Sequence, residues 1–394
     1  MQTQNHLNQP SIWSKNLVFV CIANFLYFGS FYVLLPTLPQ YVANLGGTAS
    51  QIGLVIGTFT LVSVIIRPYF GKLIDIYGRK KFMLFGAGLF SIVFAFYGQI
   101  QAILPLCLLR AVHGVAHGSY LAASYAYVAD LAPPDRRGQV MGIYGVSNVL
   151  AMALFPAFGS AIISNTESFT ILFIFSTVLA AGAFFSVCFI HELLREADRS
   201  GKASAMAAVR QRPVLIASLT LFTAATVYGA VLTFLPVFAP ERGLRNMGIF
   251  FSAYAVFTFI SRIIAGRLSD RFGRRKIILP FLMLVAVAVF LLPWLDNIYL
   301  LLLIGAFFGL GFGAFMPALN AFVVDETTPK QRASALAFFT SFMDVGITSG
   351  ALILGLVGQY WGYETMFVIG GVVVVLGVLL FGVYGRGAMP GSNH

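Results

Sequence analysis

Long apolar runs alternate with short polar segments along the whole chain. Each run is roughly 20 residues or longer, which is the length that a helix needs to cross the hydrocarbon core of a bilayer. They predict twelve membrane helices, near residues 17–41, 51–74, 82–101, 104–129, 139–163, 169–191, 214–238, 247–269, 277–295, 299–324, 334–358 and 363–384. The pattern therefore indicates an all-α integral membrane protein.

A polar motif between the second and third runs has a second copy. Residues 71–81 correspond to residues 266–276, at an offset of 195 residues. Further pairs share this offset: Arg67 with Arg262, Gly114 with Gly309, Gly118 with Gly313, Asp130 with Asp325, Pro134 with Pro329, and Arg137 with Arg332. Repeated halves are a known architecture of secondary transporters. We predict two pseudo-symmetric six-helix bundles, residues 1–191 and 214–394, joined by a cytoplasmic linker at residues 192–213.

Composition supports the membrane class. Hydrophobic residues make up 59% of the 394 residues and charged residues 10%, whereas a soluble domain carries about a quarter charged residues. The net charge of +11 would favour a nucleic-acid partner in a soluble protein, but here the cations lie in loops between apolar runs. We therefore expect contact with membrane lipid and no nucleic-acid partner. Cys21, Cys107 and Cys188 lack metal-ligand spacing, so we expect no metal and no other cofactor.

Lysine and arginine are unevenly distributed between the two sides of the predicted helices. With the N-terminus inside, the outer loops hold only Arg242 and Arg245, and the inner loops hold the other loop cations. This asymmetry predicts that both termini are cytoplasmic, in the plasma (inner) membrane. The polar first segment is followed by a run long enough to span, which is not typical of a cleavable signal. We expect the first helix to remain in the mature protein.

The motifs resemble those of the major facilitator superfamily, and the resemblance covers the whole chain. Residues 71–81 match the family's loop motif Gly-x-Leu-x-Asp-x-x-Gly-Arg-Lys/Arg-Lys/Arg, and residues 266–276 lie where the family carries a second copy. Residues 106–114 are similar to the fourth-helix motif Leu-x-x-x-Arg-x-x-Gln-Gly, with His113 in place of glutamine. Within the superfamily these motifs point to the twelve-helix drug:proton antiporter branch. The resemblance implies alternating-access transport by a monomer that is not an enzyme.

One motif of that branch is only partly present. Its exporters carry Gly-x-x-x-Gly-Pro-x-x-Gly in the fifth helix, where this chain has Ala151, Phe155, Pro156 and Gly159. Only the proline and the last glycine match. The direction of transport is therefore left open by the motifs.

The aspartate in each loop motif is not explained by topology alone. Basic residues would anchor the loops inside, but a carboxylate can also accept hydrogen bonds from the N-terminus of a neighbouring helix. The resemblance implies that Asp75 docks near Ala333 and Arg332, and Asp270 near Gly138, while the cytoplasmic side is closed. We interpret the following as gating residues: Gly71, Asp75, Gly78, Arg79, Lys80, Gly266, Asp270, Gly273, Arg274 and Arg275.

Few ionisable side chains lie inside the predicted helices, where they are costly and mark functional sites. Arg110, His113 and His117 share one face of the fourth helix. The resemblance places this helix around a central cavity with the first, seventh and tenth helices. We expect the three side chains to line the cavity. The alternatives are that Arg110 extends to the outer surface and that the histidines bond to backbone groups; two histidines are too few to hold a metal.

Asp344 lies in the middle of the eleventh helix and is the only carboxylate deep inside a predicted span. It could load and release a proton, form a structural hydrogen bond, or pair with Arg110 and stay charged. The full candidate set for substrate and proton is Asn24, Tyr27, Arg110, His113, His117, Tyr228, Asn320 and Asp344.

These patterns predict a secondary active transporter for a small organic compound, with proton-coupled efflux of a drug or metabolite as the leading hypothesis. One alternative is an uptake symporter or uniporter for a sugar or organic acid, because the fifth-helix motif is incomplete. Another is a metallophore exporter, because residues 67–71 and 344–347 look similar to stretches of such exporters. A nucleotide-binding Gly-x-x-x-x-Gly-Lys-Ser/Thr loop does not occur in the sequence, which disfavours direct use of ATP. The internal duplication disfavours an enzyme or a receptor.

Overall fold

The computed structural model describes residues 13–133, 136–192, 211–244, 246–328 and 331–385. Within these ranges the chain is helical except for short connections. Most of the predicted linker, residues 193–210, lies outside them, as do the outermost residues of both termini. The boundaries of the linker therefore remain a prediction.

The N-terminal half contains six membrane helices. They are the first (Lys15–Val33, continued by Leu38–Asn44), second (Ala49–Tyr77), third (Arg79–Tyr97), fourth (Ile103–Leu131), fifth (Arg137–Thr166) and sixth (Phe169–Cys188). The C-terminal half contains the seventh (Arg212–Glu241), eighth (Gly248–Phe272), ninth (Arg274–Phe290) and tenth (Ile298–Asp325). The eleventh begins as Arg332–Ser349, continues through the π-helical turn Gly350–Leu354, and runs into Gly355–Tyr384, which also contains the twelfth.

Gly362 separates the last two membrane helices. Its φ of 82° breaks Gly355–Tyr384 at a kink, so the described ranges form twelve membrane helices, as predicted. By length and composition, ten described helical segments are apolar enough to cross a membrane, with the last two helices counted as one. The fourth helix is not among the ten. Arg110, His113 and His117 lower its hydropathy, so the helix that carries these candidate site residues is also the one that is less apolar than a typical span.

Glycine forms the connection in both loop motifs. Gly78 joins the second and third helices at a φ of 98°, and Gly273 joins the eighth and ninth at 92°. This backbone conformation is open to glycine and strained for other residues. Gly71, by contrast, lies inside the second helix with open space around it. We call the end of the molecule that carries Gly78 and Gly273 the motif end, and the opposite end the far end.

The two halves repeat the same close helix packing. A Cβ atom at Gly114 would collide with the backbone oxygen of Phe59, and a Cβ at Gly309 would collide with that of Tyr254. Phe59 and Tyr254 are themselves related by the offset of 195 residues. This matched contact confirms the two pseudo-symmetric six-helix bundles that the repeat predicts.

The bundles contact each other at the far end. Gln40 Nε2, after the first helix bends, donates a hydrogen bond to the backbone oxygen of Pro236 in the seventh helix at 3.0 Å. Gly53 of the second helix lies so close to the backbone of Ala351 that a Cβ would collide with it. These contacts close the far end of the interface between the bundles.

Candidate functional site

A central cavity of about 210 Å³ lies between the bundles. Its described wall comes from the first, second, fourth, seventh and eleventh helices, and includes Phe59, His117, Tyr228 and Asp344. The tenth helix, which was expected to contribute, supplies none of the described lining residues. Tyr228 of the seventh helix lies between the cavity and the tenth helix, because its ring packs on Phe312 of the tenth helix with ring centres 4.9 Å apart.

An ion pair joins the two bundles in the cavity wall. Arg67 Nη1 of the second helix lies 2.6 Å from Asp344 Oδ2 of the eleventh, and the side chains are 27% and 23% exposed. Arg67 Nη2 also donates to Ser63 Oγ at 3.4 Å, whereas Arg67 Nε is buried without a hydrogen-bond partner among the described residues. Asp344 therefore has a cationic partner. The alternative that named Arg110 as that partner is wrong.

Arg110 is buried in the cavity wall, with 2% of the residue exposed. Its Nε donates to the backbone oxygen of Val55 at 3.1 Å, and its Nη1 lies 3.4 Å from Tyr97 Oη. The guanidinium group lies over the ring of Phe59, 4.2 Å from the ring centre. The side chain thus points into the protein, and the alternative that it extends to the outer surface is wrong.

The two histidines have different surroundings although they lie one helical turn apart. His117 lines the cavity, with its Nδ1 3.4 Å from Tyr27 Oη. His113 lies behind the wall, with Nδ1 2.9 Å from Tyr97 Oη and the ring of Phe90 at 4.0 Å. Its Nε2 is buried without a partner in the described part of the chain. The expectation that both histidines line the cavity is therefore wrong for His113.

The remaining candidates also divide into two groups. Tyr228 lines the cavity. Tyr27 is fully buried and stacks on Tyr120 with ring centres 3.8 Å apart, and Asn24 donates to a serine of the fifth helix at 2.7 Å. Both brace the first helix inside its bundle and lie outside the described lining, as does the half-buried Asn320. Among the described residues, no three His, Cys, Asp or Glu side chains are grouped to hold a metal ion.

The first arginine of each loop motif joins its loop to a neighbouring helix of the same bundle. Arg79 Nε donates to Asp130 Oδ2 at 3.0 Å, at the end of the fourth helix. The repeat-related Arg274 Nε donates to Asp325 Oδ2 at 2.9 Å, at the end of the tenth helix. The four residues are related in pairs by the offset of 195 residues, but the bonds between them were not predicted from the sequence.

The next basic residue in each motif binds the last helix of its own bundle. Lys80 Nζ donates to the backbone oxygen of Cys188 at 2.9 Å, and Arg275 donates to the backbone oxygen of Gly382. Cations are stabilised near helix C-termini, where backbone oxygens lack helical partners. The basic residues of the motif therefore make specific contacts, beyond any role in setting topology.

Asp75 bonds within its own motif. It is exposed, with 60% of the side chain accessible, and accepts a hydrogen bond from Arg79 Nη2 at 3.1 Å. The side-chain placements of Asp270, Gly138 and Ala333 lie outside the description. Docking of Asp75 and Asp270 against the opposite bundle therefore stays a prediction, for a state in which the motif end is closed.

Arg67 and Glu192 were not recognised as site residues in the sequence. An arginine inside a predicted span needs a nearby counter-charge, and Asp344 is the only carboxylate deep in a span, so this pair was detectable. Glu192 accepts the backbone N–H groups of Arg79 and Lys80 at 2.9 and 3.0 Å and caps the third helix. No local sequence pattern predicts this cap, because Glu192 lies more than a hundred residues after Arg79 and Lys80.

The family model described as Major Facilitator Superfamily matches residues 20–250 and 244–392. The chain therefore belongs to the major facilitator superfamily, and it is a multi-pass membrane transporter and not an enzyme.

Its relatives include multidrug resistance proteins named MdtG. The chain is 26% identical to MdtG of Enterobacter lignolyticus (strain SCF1), with 98% of this chain and 96% of the relative covered. It is 27% identical to MdtG of Serratia proteamaculans (strain 568), with 92% of each covered. Among solved structures, the nucleoside transporter NupG aligns with a TM-score of 0.75 at 16% identity, covering 94% of this chain and 99% of NupG. At that identity the likeness shows the fold alone.

Proposed function

We propose that this transporter is a proton-coupled exporter of a small organic compound. It would act as a monomer in the plasma (inner) membrane, with the motif end and both termini in the cytoplasm. The multidrug resistance relatives favour export, and the excess of lysine and arginine in the loops of the motif end favours the orientation. The observation that carries the proposal is the Arg67–Asp344 ion pair, because it unites a titratable group, the cavity wall and both bundles.

Protonation of Asp344 changes the contact between the bundles in this mechanism. A neutral carboxyl group no longer offsets the charge of Arg67, and a charge left without its partner away from bulk water is unfavourable. Deprotonated Asp344 holds the second helix to the eleventh, whereas protonated Asp344 releases them. With the far end closed, the present arrangement corresponds to the state that faces the cytoplasm.

Exchange of substrate for protons follows if either ligand, but not both at once, can break the Arg67–Asp344 ion pair. The bundles change state only when a proton neutralises Asp344 or when a substrate displaces the ion pair. A protein with two states responds to whichever ligand favours one of them. Substrate carried outward is thereby exchanged for protons carried inward.

Transport into vesicles with an imposed pH gradient tests this proposal. Purified protein is reconstituted and offered a panel of small fluorescent cations, anions and neutral compounds. We expect the gradient to drive transport. Asp344→Asn should lower this gradient-driven transport by about tenfold or more, because removing one partner of a charge pair has effects of that size. Asp296→Asn, which alters an exposed acid in the loop before the tenth helix, should behave as wild type. Equal transport with and without the gradient would refute proton coupling, and an unchanged Asp344→Asn variant would remove Asp344 from it.

The loop aspartates are proposed to latch the motif end in the other state. Asp75 and Asp270 would then accept bonds from helix starts of the opposite bundle, as the family resemblance implies. Asp75→Asn should slow turnover and leave substrate binding intact. Lost binding with a normal rate of conformational exchange would contradict this role.

Export of a metallophore is the second candidate. Residues 67–71 and 344–347, which look similar to stretches of metallophore exporters, meet in the structure through the Arg67–Asp344 pair. Vesicle transport of a metal–polycarboxylate complex, compared with the fluorescent panel, distinguishes the two. A symporter would move the compound in the same direction as the protons in this assay, whereas an antiporter would move it in the opposite direction.

A further inference from the structure

The charges in the cavity wall do not balance. Two arginines, Arg67 and Arg110, line the cavity together with one carboxylate, Asp344. Asp344 is bonded to Arg67. Within the described part of the chain, no acid lies in salt-bridge distance of Arg110, so its positive charge has no counter-charge.

Three other arginines of the described structure are paired with acids. Arg79 pairs with Asp130, Arg242 with Glu364, and Arg274 with Asp325. Arg110 is more deeply buried than any of these and has only neutral partners. A buried charge away from water is expensive unless a charged or strongly polar group compensates it. The uncompensated positive charge of Arg110 therefore suggests that this part of the cavity wall binds an anionic ligand.

The guanidinium group of Arg110 is held in a fixed orientation. Nε is bonded to Val55 and Nη1 lies near Tyr97 and His113, while the plane rests on Phe59. No described residue forms a hydrogen bond with Nη2. A guanidinium held on one side and open on the other is suited to an oxyanion, since charge-assisted bonds from arginine are strong and directional.

The rest of the wall is mostly apolar and aromatic. Phe31, Leu35, Leu232 and Ile347 face the cavity, and the uncharged polar side chains beside them include Thr60, Ser63, His117 and Thr233. The volume of about 210 Å³ lies below the roughly 300–1,000 Å³ of pockets for drug-sized ligands. The site therefore fits a small molecule with an apolar body and one charged end.

We propose that the substrate is a small amphipathic organic anion, whose carboxylate group binds the guanidinium of Arg110 while its apolar body packs on Phe31, Phe59 and Ile347. This rests on the proposed transport function and assigns its substrate class. Organic cations of similar size are disfavoured, because the positive charge of Arg110 would repel them and the carboxylate of Asp344 is already paired with Arg67.

Equilibrium binding to the purified full-length chain in lipid nanodiscs tests the assignment without any gradient. The probes are benzoate, cinnamate and 4-phenylbutyrate, each with its primary amide and its amine of matched shape. We expect at least one of the acids to bind about tenfold or more tightly than its amide and amine, as a charged hydrogen bond provides. If each amide or amine binds as well as its acid, or if none of the acids binds, the proposal is wrong.

Variants connect the preference to Arg110. Arg110→Gln should abolish the preference for the acid and leave amide binding unchanged, and Lys15→Gln, which removes an exposed cation at the start of the first helix, should leave both unchanged. Arg110→Lys keeps the charge but loses the planar guanidinium with its fixed N–H directions, and should weaken acid binding to an intermediate level. If Arg110→Gln does not fold, Arg110→Lys decides. A full preference for the acid in folded Arg110→Gln, or acid binding by Arg110→Lys as tight as that of the wild type, would overturn the assignment of Arg110.

The outcome is separable from proton coupling. Loss of pH-driven transport in Asp344→Asn with an intact anion preference would support both proposals. Gradient-driven transport of cations without any anion preference would overturn the substrate class alone. Anion binding that persists while wild-type transport ignores the pH gradient would overturn proton coupling alone.

Discussion

The two bundles share a backbone arrangement but differ in the chemistry of their interior. Gly114 and Gly309 make the same collision-close contact with the backbones of Phe59 and Tyr254. On the helices that carry these glycines, Arg110, His113 and His117 of the fourth helix correspond by offset to Gly305, Phe308 and Phe312 of the tenth. The N-terminal bundle thus has a guanidinium and two imidazoles where the C-terminal bundle has a glycine and two aromatic rings.

This difference shows which features a duplicated fold must keep. Close helix contacts leave no room for a Cβ atom, so glycine is retained in both copies. Side chains that face a cavity are freer to change, because the cavity needs only one cationic wall. The ion pair follows the same rule: Arg67 has its counterpart in Arg262, but Asp344 corresponds to Val149, and of the two arginines only Arg67 forms a salt bridge within the described residues.

The largest expected effect tests the shared packing. Gly114→Leu and Gly309→Leu each place a side chain against a neighbouring backbone, where overpacking costs about 1–3 kcal/mol or more. We expect both variants to lose most of their folded protein, measured as the monodisperse fraction after detergent extraction and as the thermal midpoint. Gly142→Leu, at a fifth-helix glycine with open space around it, should be tolerated. A clear difference between the two variants would mean that the halves do not rely equally on this contact.

The sequence carried most of the fold and part of the site. Twelve spans follow from hydrophobic runs, and the two bundles follow from the offset, because both patterns are periodic along the chain. Which side of the fourth helix faces the cavity was predicted, but His113 and His117 were not distinguished. That distinction depends on rings from the third helix, such as Phe90, which enclose His113. Pairing of Arg67 with Asp344 joins two bundles and has no local pattern, but Asp344 is the only carboxylate deep in a predicted span, so elimination could have found the pair.

A smaller effect is expected at the loop glycines, and here the halves should differ. Gly78 and Gly273 both have positive φ, so alanine at either position is strained by about 1–3 kcal/mol. A Cβ at Gly78 would also lie 2.8 Å from Glu192 and displace the cap of the third helix, whereas a Cβ at Gly273 would meet open space. We expect Gly78→Ala to lower the thermal midpoint further than Gly273→Ala. The combination of Gly78→Ala with Glu192→Ala should add little to Gly78→Ala alone; full additivity would show that the cap is not displaced.

The smallest effect is expected where the N-terminal bundle is made to resemble the other. His113→Phe reproduces Phe308 of the tenth helix and fits a site already lined by aromatic rings. It removes the hydrogen bond with Tyr97, with a net contribution of about 0.5–1.5 kcal/mol, and the 3.4 Å contact of Nδ1 with Arg110 Nη1. It also removes the buried Nε2, which lacks a partner among the described residues.

The two terms oppose each other, so His113→Phe should shift the thermal midpoint little and leave transport near wild type. His117→Phe, the matched change one turn away, alters the cavity wall and should lower transport without unfolding the protein. Thermal unfolding and vesicle transport of both variants decide the matter. If folded His113→Phe loses its response to the pH gradient, the buried imidazole handles protons after all, and the polar interior of this bundle extends beyond the wall of the cavity.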